Sequence, residues 1–479
     1  MVSFILNGQI HSVNHVLPET TVLDYLRETL GRTGTKEGCA SGDCGACTVV
    51  IAEAQEKTLK YRTSNACITL LGTLHGKQLI TVENLSSDKT LHQCQQAIVN
   101  CHGSQCGFCT PGFVMSLFSH FKNYSSPDRD QLIESLGGNL CRCTGYKPIL
   151  NAGDSIYENL SADKFDKNES DTIRMLERLP KEDPNLILDT RKFCTPKSLD
   201  ELADILLDQP NARLLAGGTD LGLEITQELA QPKLIVYTGS IEAMTCIEDR
   251  DHTFHIGGAA TYTDVSPLLV SRWPTLGELF NRLGSVQIRN QGTIGGNVAN
   301  ASPIADTLPP LLALDATLTL RKGSRRRVLA LKDFFIHYKV TALEKSEFIE
   351  SIQIPKGDGS EYFVVYKVSK RMEDDISAVC LALRWRLYDN SLRDVRIAYG
   401  GLAEIPKRSI AAEKALEGND FKESSIRDAM SAVSQEFSPI DDVRASAKYR
   451  EKLAKNLLFR AYLAATQNKS NLRVTDYCA

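Results

Sequence analysis

The sequence predicts a multidomain α+β protein in which a β-rich region, a helical region and a larger mixed region follow one another. Three observations favour this order. The β-branched run "TVVIA" at 48–52 follows a glycine-rich loop, helical periodicity begins near Leu91, and strand and helix patterns mix after residue 186. The 479 residues are enough for about three domains.

Bulk composition favours a globular protein without a nucleic-acid or membrane partner. Hydrophobic residues make up 42% and charged residues 24% of the chain, and the formal net charge is −4. The basic run at 321–327 is interpreted as a solvated loop. No apolar stretch reaches about 18 residues, and the N-terminal residues "MVSFILNGQIHSV" do not have the pattern of a signal peptide. We therefore expect a cytoplasmic protein.

Cysteine is the unusual feature of the composition. Ten of the 14 cysteines lie before residue 150. In a reducing compartment, clustered thiols indicate metal or redox chemistry rather than disulfides. We therefore expect that chemistry in the N-terminal third.

The first thiol group falls in a predicted β-grasp-like, ferredoxin-like domain at 1–85. Asn7-Gly8 predicts a tight hairpin turn, and "TVLDYLRETL" at 21–30 predicts a helix. Four cysteines have the C-x4-C-x2-C…C spacing of a plant-type [2Fe–2S] site: Cys39, Cys44, Cys47 and Cys67. Glycines in the loop let the backbone wrap closely around a cluster. A structural zinc site is the alternative, although zinc ribbons usually pair two short knuckles.

The second thiol group falls in a predicted helical bundle at 86–158. Thr110-Pro111, Ser126-Pro127 and Lys147-Pro148 are expected to begin helices. Cys94 and Cys101 are interpreted as packing residues on a helix face. Two thiol pairs at the helix ends predict a second [2Fe–2S] cluster, because a C-x-C pair suits a zinc tetrahedron poorly: Cys106, Cys109, Cys141 and Cys143.

A charged segment at 159–185 is interpreted as a surface linker, and two glycine stretches follow it. "LLAGGTDLG" at 214–222 has the parts of a pyrophosphate loop, with a plain strand-and-turn structure as the alternative. "QGTIGGNVANASPIADTLP" at 291–309 needs either a ligand or another backbone against it. No G-x-G-x-x-G occurs, which disfavours a Rossmann site. "HTFH" at 252–255 is interpreted as a polar strand edge rather than a metal site.

The thiol motifs "QCGFCTPG" and "CRCTGY", after a plant-type cluster motif, resemble the iron–sulfur region of the molybdenum hydroxylases, the family of xanthine dehydrogenases and aldehyde oxidases. The resemblance implies that Gln105 and Cys143 contact a molybdopterin, with Cys143 also a cluster ligand. The glycine stretches resemble the FAD domain of the same family. This implies a vanillyl-alcohol-oxidase-like FAD domain at 186–357 and a C-terminal α+β subdomain at 358–479.

The resemblance also implies flavin contacts. The pyrophosphate and adenosine would lie against Leu214, Leu215, Ala216, Gly217, Gly218, Thr219, Asp220 and Leu221. The second phosphate loop and further contacts would be Thr293, Ile294, Gly295, Gly296, Asn297, Asp306, Ile349 and Lys367. Leu283 stands where relatives often carry an aromatic beside the flavin ring. The charged loop at 370–375 is either a solvated loop or the NAD side of the flavin, with Asp374 as the candidate.

These expectations combine into an electron-transfer chain. Two [2Fe–2S] clusters would pass single electrons to FAD, which would reduce NAD+. The 479 residues have no room for a molybdopterin domain, so we expect a molybdopterin-binding large subunit, with two copies of each chain. The favoured substrates are hypoxanthine and xanthine. The alternatives are another hydroxylase of aldehydes or N-heterocycles with a different acceptor, and a non-catalytic scaffold held by zinc.

Overall fold

The computed structural model describes residues 1–87, 90–159, 161–180 and 185–467, which divide into two units. The first unit comprises residues 1–242 with the short segments 261–263 and 284–292. The second comprises 243–260, 264–283 and the described chain from 293 onward. No described helix is long and apolar enough to cross a lipid bilayer.

The first unit begins with a five-stranded sheet of order β2-β1-β5-β3-β4. Its β1 and β5 are parallel and its other neighbours antiparallel. The elements are β1 (Val2–Leu6), β2 (Gln9–Val13), α1 (Val22–Asp24) continued by a π-helical turn (Tyr25–Thr29), β3 (Thr48–Gln55), β4 (Thr58–Asn65) and β5 (Gln78–Ile80).

Two local predictions in this sheet are confirmed. Asn7 and Gly8 form the two-residue turn between β1 and β2, both with positive φ (51° and 83°), as a type I′ turn requires. The helical stretch after Thr21 buries Leu23 and Leu26, and the Thr21 hydroxyl accepts a hydrogen bond from the Asp24 backbone N–H.

Both faces of this sheet are buried, which explains its continuous apolar runs. One face packs with the α1 region and with residues of a second sheet further along the unit, including Phe193 and Leu215. The other face packs against helices, with Val50, Tyr61 and Phe118 in the same core.

Those helices are α2 (Gln93–Asn100), α3 (Thr110–Asn123), α4 (Arg129–Leu136) and α5 (Lys147–Ser155). The predicted helix starts hold for α3 and α5. Helix α4 begins at Arg129 rather than near Ser126, because the Asp128 side chain caps it by accepting from the Gln131 N–H. Cys94 is fully buried and Cys101 packs beside it, which confirms them as packing residues.

The expected linker at 159–185 is more ordered than its composition suggests. Its described part contains α6 (Lys164–Lys167) and α7 (Glu169–Glu177). Phe165, Leu176 and Leu179 are buried in the helical core. These few apolar residues are separated by many charged ones. The overall composition of the segment therefore did not indicate that one of its faces is buried.

The first unit ends in a four-stranded sheet of order β6-β7-β9-β8. Its elements are β6 (Leu186–Leu188), β7 (Arg191–Cys194), α8 (Leu199–Asp208), β8 (Arg213–Leu215), α9 (Leu221–Thr226) and β9 (Leu234–Tyr237). Ser198 caps α8 as expected, since its hydroxyl accepts from the Glu201 N–H.

The second unit contains a five-stranded antiparallel sheet of order β10-β11-β16-β12-β13. The elements of this stretch are α10 (Glu242–Thr245), β10 (Ile247–Asp249), β11 (Thr253–Gly257), α11 (Tyr262–Arg272), α12 (Leu276–Asn281), α13 (Val286–Arg289, in the first unit), α14 (Ile294–Asn300), α15 (Leu308–Ala313), β12 (Thr317–Lys322), β13 (Arg325–Ala330), β14 (Phe335–His337), β15 (Val340–Thr341) and β16 (Phe348–Pro355).

Two expectations fail in this sheet. In the "HTFH" stretch, His252 precedes β11 and residues 253–255 lie on it, and β11 has a neighbour on each side and is therefore not an edge strand. The basic run at 321–327 is the β12–β13 hairpin rather than a loop. Arg326 and Arg327 pair with Glu350 and Glu347, which offsets their like charges.

The C-terminal part of the second unit is a four-stranded antiparallel sheet covered by helices. Its elements are β17 (Tyr362–Val368), β18 (Val379–Tyr388), β19 (Ser391–Gly400), β20 (Lys407–Arg408), α16 (Ile410–Leu416), α17 (Glu423–Glu436) and α18 (Ala447–Gln467). Trp385, Ile397 and Leu458 belong to its core.

Replacing Phe165 by Ala tests whether 159–185 is part of the fold. We expect a loss of about 3 kcal/mol of packing free energy and faster proteolytic cleavage within this segment. The control is Lys167→Ala at an exposed position of the same helix. Equal cleavage rates in the two variants would show that the segment behaves as a linker.

The helical core should lose stability in acid through His120. Its ring is buried on α3, Nδ1 lies 2.8 Å from the Ser135 hydroxyl, and burial lowers the pKa of His120 from 6.5 to about 4. The unfolded chain therefore binds the proton more readily, and stability falls as the pH drops from 6.5 towards 4. In His120→Gln the midpoint of thermal unfolding should depend less on pH across this window. A pH dependence equal to that of the unmodified protein would contradict the assignment.

Candidate functional site

The four thiols of the first predicted site come together in the structure. Cys39 contacts the thiols of Cys44 and Cys67, and the Cys47 and Cys67 sulfurs lie 3.3 Å apart. The backbone N–H groups of Ser41 and Cys44 both point at the Cys39 sulfur, each at 3.4 Å. The four thiols therefore form one connected group, in which Cys39 contacts Cys44 and Cys67, and Cys67 also contacts Cys47.

The protonation of these thiols differs because they share hydrogen bonds. Bonds from the Cys44 and Cys67 thiols hold the pKa of Cys39 below its usual value. The bond to Cys39 and burial raise the pKa of Cys44, and bonds to Cys39 and Cys47 raise that of Cys67. All four thiols can be thiolates together only when bound positive charge compensates them.

Unusual backbone angles let the loop around this site close on itself. Ala40, Gly42 and Gly45 all have positive φ, at 51°, 80° and 66°. A Cβ atom on Gly45 would press directly on the Gly138 carbonyl oxygen. Gly45 is therefore required both by its own conformation and by a neighbouring backbone.

The second thiol set also forms two contacting pairs. The Cys106 thiol contacts Cys143, and the Cys109 thiol contacts Cys141. The Thr144 hydroxyl and backbone N–H both donate to the Cys141 sulfur, at 3.1 and 3.4 Å. Burial, followed by the hydrogen bond with Cys141, raises the pKa of Cys109 to about 12.

A short bridge of hydrogen bonds joins the two thiol loops. The Leu140 N–H, next to Cys141, donates to the Cys44 carbonyl at 3.0 Å. The Asn139 side chain donates to the Gly45 carbonyl at 2.9 Å and accepts from the Ser116 hydroxyl at 2.6 Å. Sequence analysis missed Asn139, although its position two residues before a ligand candidate was a usable signal.

The bridge is supported from the 284–292 segment of the same unit. The Gln287 side chain is fully buried and donates to Asn139 Oδ1 at 3.3 Å and to the Thr48 hydroxyl at 3.2 Å. Nothing in the local sequence around Gln287 indicates this role, because the contact spans 148 residues.

The two sets differ in their accessibility. Cys47 and Cys67 are buried, whereas Gln105, Cys106 and Cys143 are exposed. Apolar side chains are exposed beside the second set, with Phe108 49% and Leu140 43% accessible. The second set therefore faces the surface of its unit and the first lies deeper.

The glycine stretch at 214–221 forms the predicted strand, turn and helix in the first unit. Leu214 and Leu215 end β8, Ala216 to Asp220 form the turn, and Leu221 begins α9. A Cβ on Gly217 would press on the Gln291 carbonyl, so another backbone does lie against this turn. The Gln291 side-chain Oε1 is buried with no hydrogen-bond partner among the described residues.

Helix α9 places this turn beside the first thiol loop. The Thr226 hydroxyl donates to the Ala40 carbonyl at 2.7 Å, and the Gln227 side chain donates to the same oxygen at 3.0 Å. Gly222 packs on Ile68, the residue after Cys67. The first thiol loop therefore contacts both the second thiol loop, through Cys44 and Gly45, and helix α9, which follows the glycine turn, through Ala40.

The other predicted flavin residues lie in the second unit. Thr293 caps α14 by accepting from the Gly296 N–H at 3.0 Å. Asn297 accepts from the Thr307 hydroxyl at 2.7 Å. Gly295 packs against the Gly258 backbone with no room for a Cβ. Ile294 and Ile349 are buried, and Leu283 is half-buried.

Asp306 and Lys367 form a buried ion pair beside this loop. Lys367 Nζ donates to Asp306 Oδ2 at 2.6 Å and to the Arg282 carbonyl at 2.7 Å. The Ser377 hydroxyl donates to Asp306 Oδ1 at 2.5 Å. Because their polar atoms are largely satisfied within the unit, both side chains are fixed before any ligand binds.

The charged loop at 370–375 is held by Arg282. The Arg282 guanidinium donates to the Met372 carbonyl at 3.0 Å and to the Ser369 hydroxyl at 2.9 Å. Asp374 has a positive φ of 47°. Arg282 therefore anchors a loop whose residues 370–372 are exposed.

The arrangement fits the cofactors that the motifs predict. Four cysteine thiolates ligate a two-iron cluster, and each of the two thiol sets brings four cysteine sulfurs together. Gln291, whose backbone packs on Gly217, also has a buried side-chain Oε1 without a hydrogen-bond partner among the described residues, and this oxygen suits a ligand hydroxyl or amino group. Fold and sites therefore define the class as an iron–sulfur flavoprotein.

Comparison with protein-family models supports each region. Residues 4–72 match the 2Fe-2S iron-sulfur cluster binding domain, and 81–154 match the [2Fe-2S] binding domain. Residues 189–357 match the FAD binding domain in molybdopterin dehydrogenase, and 364–465 match the CO dehydrogenase flavoprotein C-terminal domain. The predicted multidomain fold class is confirmed.

Similar proteins come from the same family. Xanthine dehydrogenase of Emericella nidulans is 33% identical over 96% of this chain and 38% of its own length. Aldehyde oxidase 1 of Bos taurus is 28% identical over 99% of this chain and 40% of its own. A carbon monoxide dehydrogenase structure from Hydrogenophaga pseudoflava, lacking the Mo-pyranopterin moiety of its cofactor, matches 58% of this chain and 98% of its own at 28% identity and a TM-score of 0.55.

The chain belongs to the molybdenum hydroxylase family and contains its iron–sulfur and FAD-binding domains, which confirms the resemblance. It spans about two fifths of the length of the curated relatives that it matches.

Gly217→Ala tests the glycine turn as a flavin site. The added Cβ meets the Gln291 backbone, and overpacking of this kind costs about 1–3 kcal/mol, so FAD affinity should fall about tenfold or more. The measurement is FAD content after dialysis, with iron content unchanged. The control, Gly277→Ala on α12, adds only an ordinary contact at 3.6 Å. Full flavin retention by Gly217→Ala would exclude the turn from the site.

Proposed function

We propose that this chain is the electron-transfer subunit of a xanthine dehydrogenase. Electrons would enter from a molybdopterin-binding partner, pass the Cys143 cluster and then the Cys39 cluster, and reach FAD and NAD+. The observation that carries the proposal is the hydrogen bond from the Leu140 N–H to the Cys44 carbonyl, which connects the two thiol sets. The contact of α9 with Ala40 continues the same route towards the glycine turn.

The chain's own residues would make this route work in two ways. Eight thiolates would hold two iron pairs: Cys39, Cys44, Cys47, Cys67, Cys106, Cys109, Cys141 and Cys143. Backbone N–H groups at Ser41, Cys44 and Thr144 point at the sulfurs and would stabilise added negative charge. FAD, when bound, supplies the exchange between single electrons and a hydride.

The flavin would contact the turn at 214–221 and the loop at 293–297 with Asp306 beside it. Ile349 and Lys367 would be further contacts, and Leu283 would stand at the position of the usual aromatic. The buried Asp306–Lys367 ion pair supports this, because it offers charged groups held in a fixed position. The loop at 370–375, with Asp374, would form the NAD+ side.

The partner would dock at the second thiol set. Gln105 and Cys143 are exposed there together with Phe108 and Leu140, which is the apolar and accessible chemistry that a protein interface needs. Gln105 and Cys143 would contact the molybdopterin of a separate large subunit. We propose an assembly of two copies of each chain in the cytoplasm, where reduced thiols are available to iron.

The substrates would be hypoxanthine and xanthine, with support from the similarity to a xanthine dehydrogenase over nearly the whole of this chain. The second candidate is the same role in an aldehyde- or heterocycle-oxidising enzyme with another acceptor. It is favoured by the comparable match to an aldehyde oxidase. A partner pulled down with the native chain and assayed on purines and aldehydes distinguishes these two.

Iron, acid-labile sulfide, zinc and flavin analysis of the purified chain tests the proposal directly. We expect about four irons and four sulfides per chain with one FAD. Zinc without sulfide or flavin would instead support the non-catalytic scaffold and overturn the electron-transfer function.

Cys143→Ala tests the order of the centres. Loss of the exposed thiolate should remove the second cluster and abolish partner-dependent turnover, while NADH-to-dye activity through FAD persists. The control is Cys101→Ala, a packing cysteine in the same domain. Loss of both activities in Cys143→Ala, with the control fully active, would contradict the proposed order.

A further inference from the structure

A group of three different metal-binding side chains lies on the β10–β11 pair of the second unit. Glu248 of β10 is directly opposite His255 of β11, so both side chains share one face of the sheet. Cys246 precedes Glu248 by two residues and lies on that face as well. One donor atom from each of the three residues lies within 4.8 Å of the others.

The sheet holds this group on its polar face. Ile247 and Ile256, on the opposite face, form a cross-strand pair, and Ile256 and Ile352 are fully buried in the core. The alternation along β10 and β11 therefore fixes which residues point away from the core. The pairing register of β10 with β11 therefore brings the thiol, the imidazole and the carboxylate together.

The imidazole of His255 is positioned from the neighbouring strand. The Gln353 side-chain amide lies 3.3 Å from His255 Nδ1, and the same amide group contacts Ser351 at 2.8 Å and Thr319 at 3.1 Å. This contact holds the ring in place from the neighbouring strand. Zinc binding through Nε2 puts the ring proton on Nδ1, so the Gln353 amide then turns to present Oε1 as the acceptor, which is the usual support of a ligating histidine.

From this geometry we propose that Cys246, Glu248 and His255 form a binding site for Zn²⁺. Sulfur, nitrogen and carboxylate oxygen are the three donor types that Zn²⁺ takes in proteins, and three protein ligands leave the fourth tetrahedral position to water. The site is separate from both thiol sets in sequence and in fold. It is independent of the electron-transfer role proposed above.

Arg250 competes with the metal for Glu248. Two nitrogens of its guanidinium contact Glu248 Oε2, at 2.7 and 2.8 Å, and the other carboxylate oxygen, Oε1, is outside this contact. The positive charge of Arg250 also repels an incoming cation at this distance. Removing that charge should therefore strengthen zinc binding.

Zinc titration of the iron-loaded, flavin-loaded protein against a chromophoric chelator tests the site. Loaded clusters keep the eight N-terminal thiols from taking up zinc. We expect one zinc per chain, bound at least tenfold more weakly by Cys246→Ser and by His255→Gln and more tightly by Arg250→Gln. The control is His252→Gln, an exposed histidine of the same hairpin outside the group.

A residue-resolved measurement protects the test against misfolded variants. In the unmodified holoprotein, Zn²⁺ should slow alkylation of Cys246 by iodoacetamide, measured by peptide mass spectrometry, and a chelator should restore the rate. Alkylation of Cys194 should not change. Three results would each overturn the site: no zinc bound by the iron-loaded protein, equal zinc affinity in all variants, or an alkylation rate of Cys246 that zinc does not change.

Discussion

The close contact between the two thiol loops is the constraint on which the rest of the first unit depends. The Cys44 and Gly45 carbonyls accept hydrogen bonds from Leu140 and Asn139, and this brings two loops that are nearly 100 residues apart in sequence into register. Only glycine fits at position 45, because a Cβ would meet the Gly138 backbone. The loop at 39–47 and the loop at 139–143 therefore fix each other's position.

The first sheet is buried on both faces because it lies between the other parts of the first unit that carry predicted site residues. One face of the sheet packs on the helices that carry the second thiol set, and the other face shares a core with the sheet that ends in the glycine turn. A chain of redox centres needs short gaps between its sites, and a shared sheet provides them without long loops. The hydrogen bond from the Thr226 hydroxyl to the Ala40 carbonyl directly links helix α9 to the first thiol loop.

Sequence reasoning predicted what depends on local spacing. The thiol motifs, the Asn7-Gly8 turn, the start of α3 at Thr110 and the Ser198 cap all follow from neighbouring residues. What it missed depends on contacts distant in sequence. Gln287 acts on residues about 150 positions away, and the apolar face of α6 and α7 is concealed by charged neighbours. Strand pairing places His255 opposite Glu248, and the "HTFH" pattern alone does not specify which residue pairs with it.

Electron paramagnetic resonance of the fully reduced protein tests the central claim that the two thiol loops hold adjacent redox centres. Two distinct [2Fe–2S] signals are expected, and their lines should split at low temperature because two nearby unpaired spins interact. Asn139→Ala should weaken this splitting while both signals remain, because it removes one bond of the bridge. A single cluster signal, or two signals without any splitting in the unmodified protein, would contradict the account.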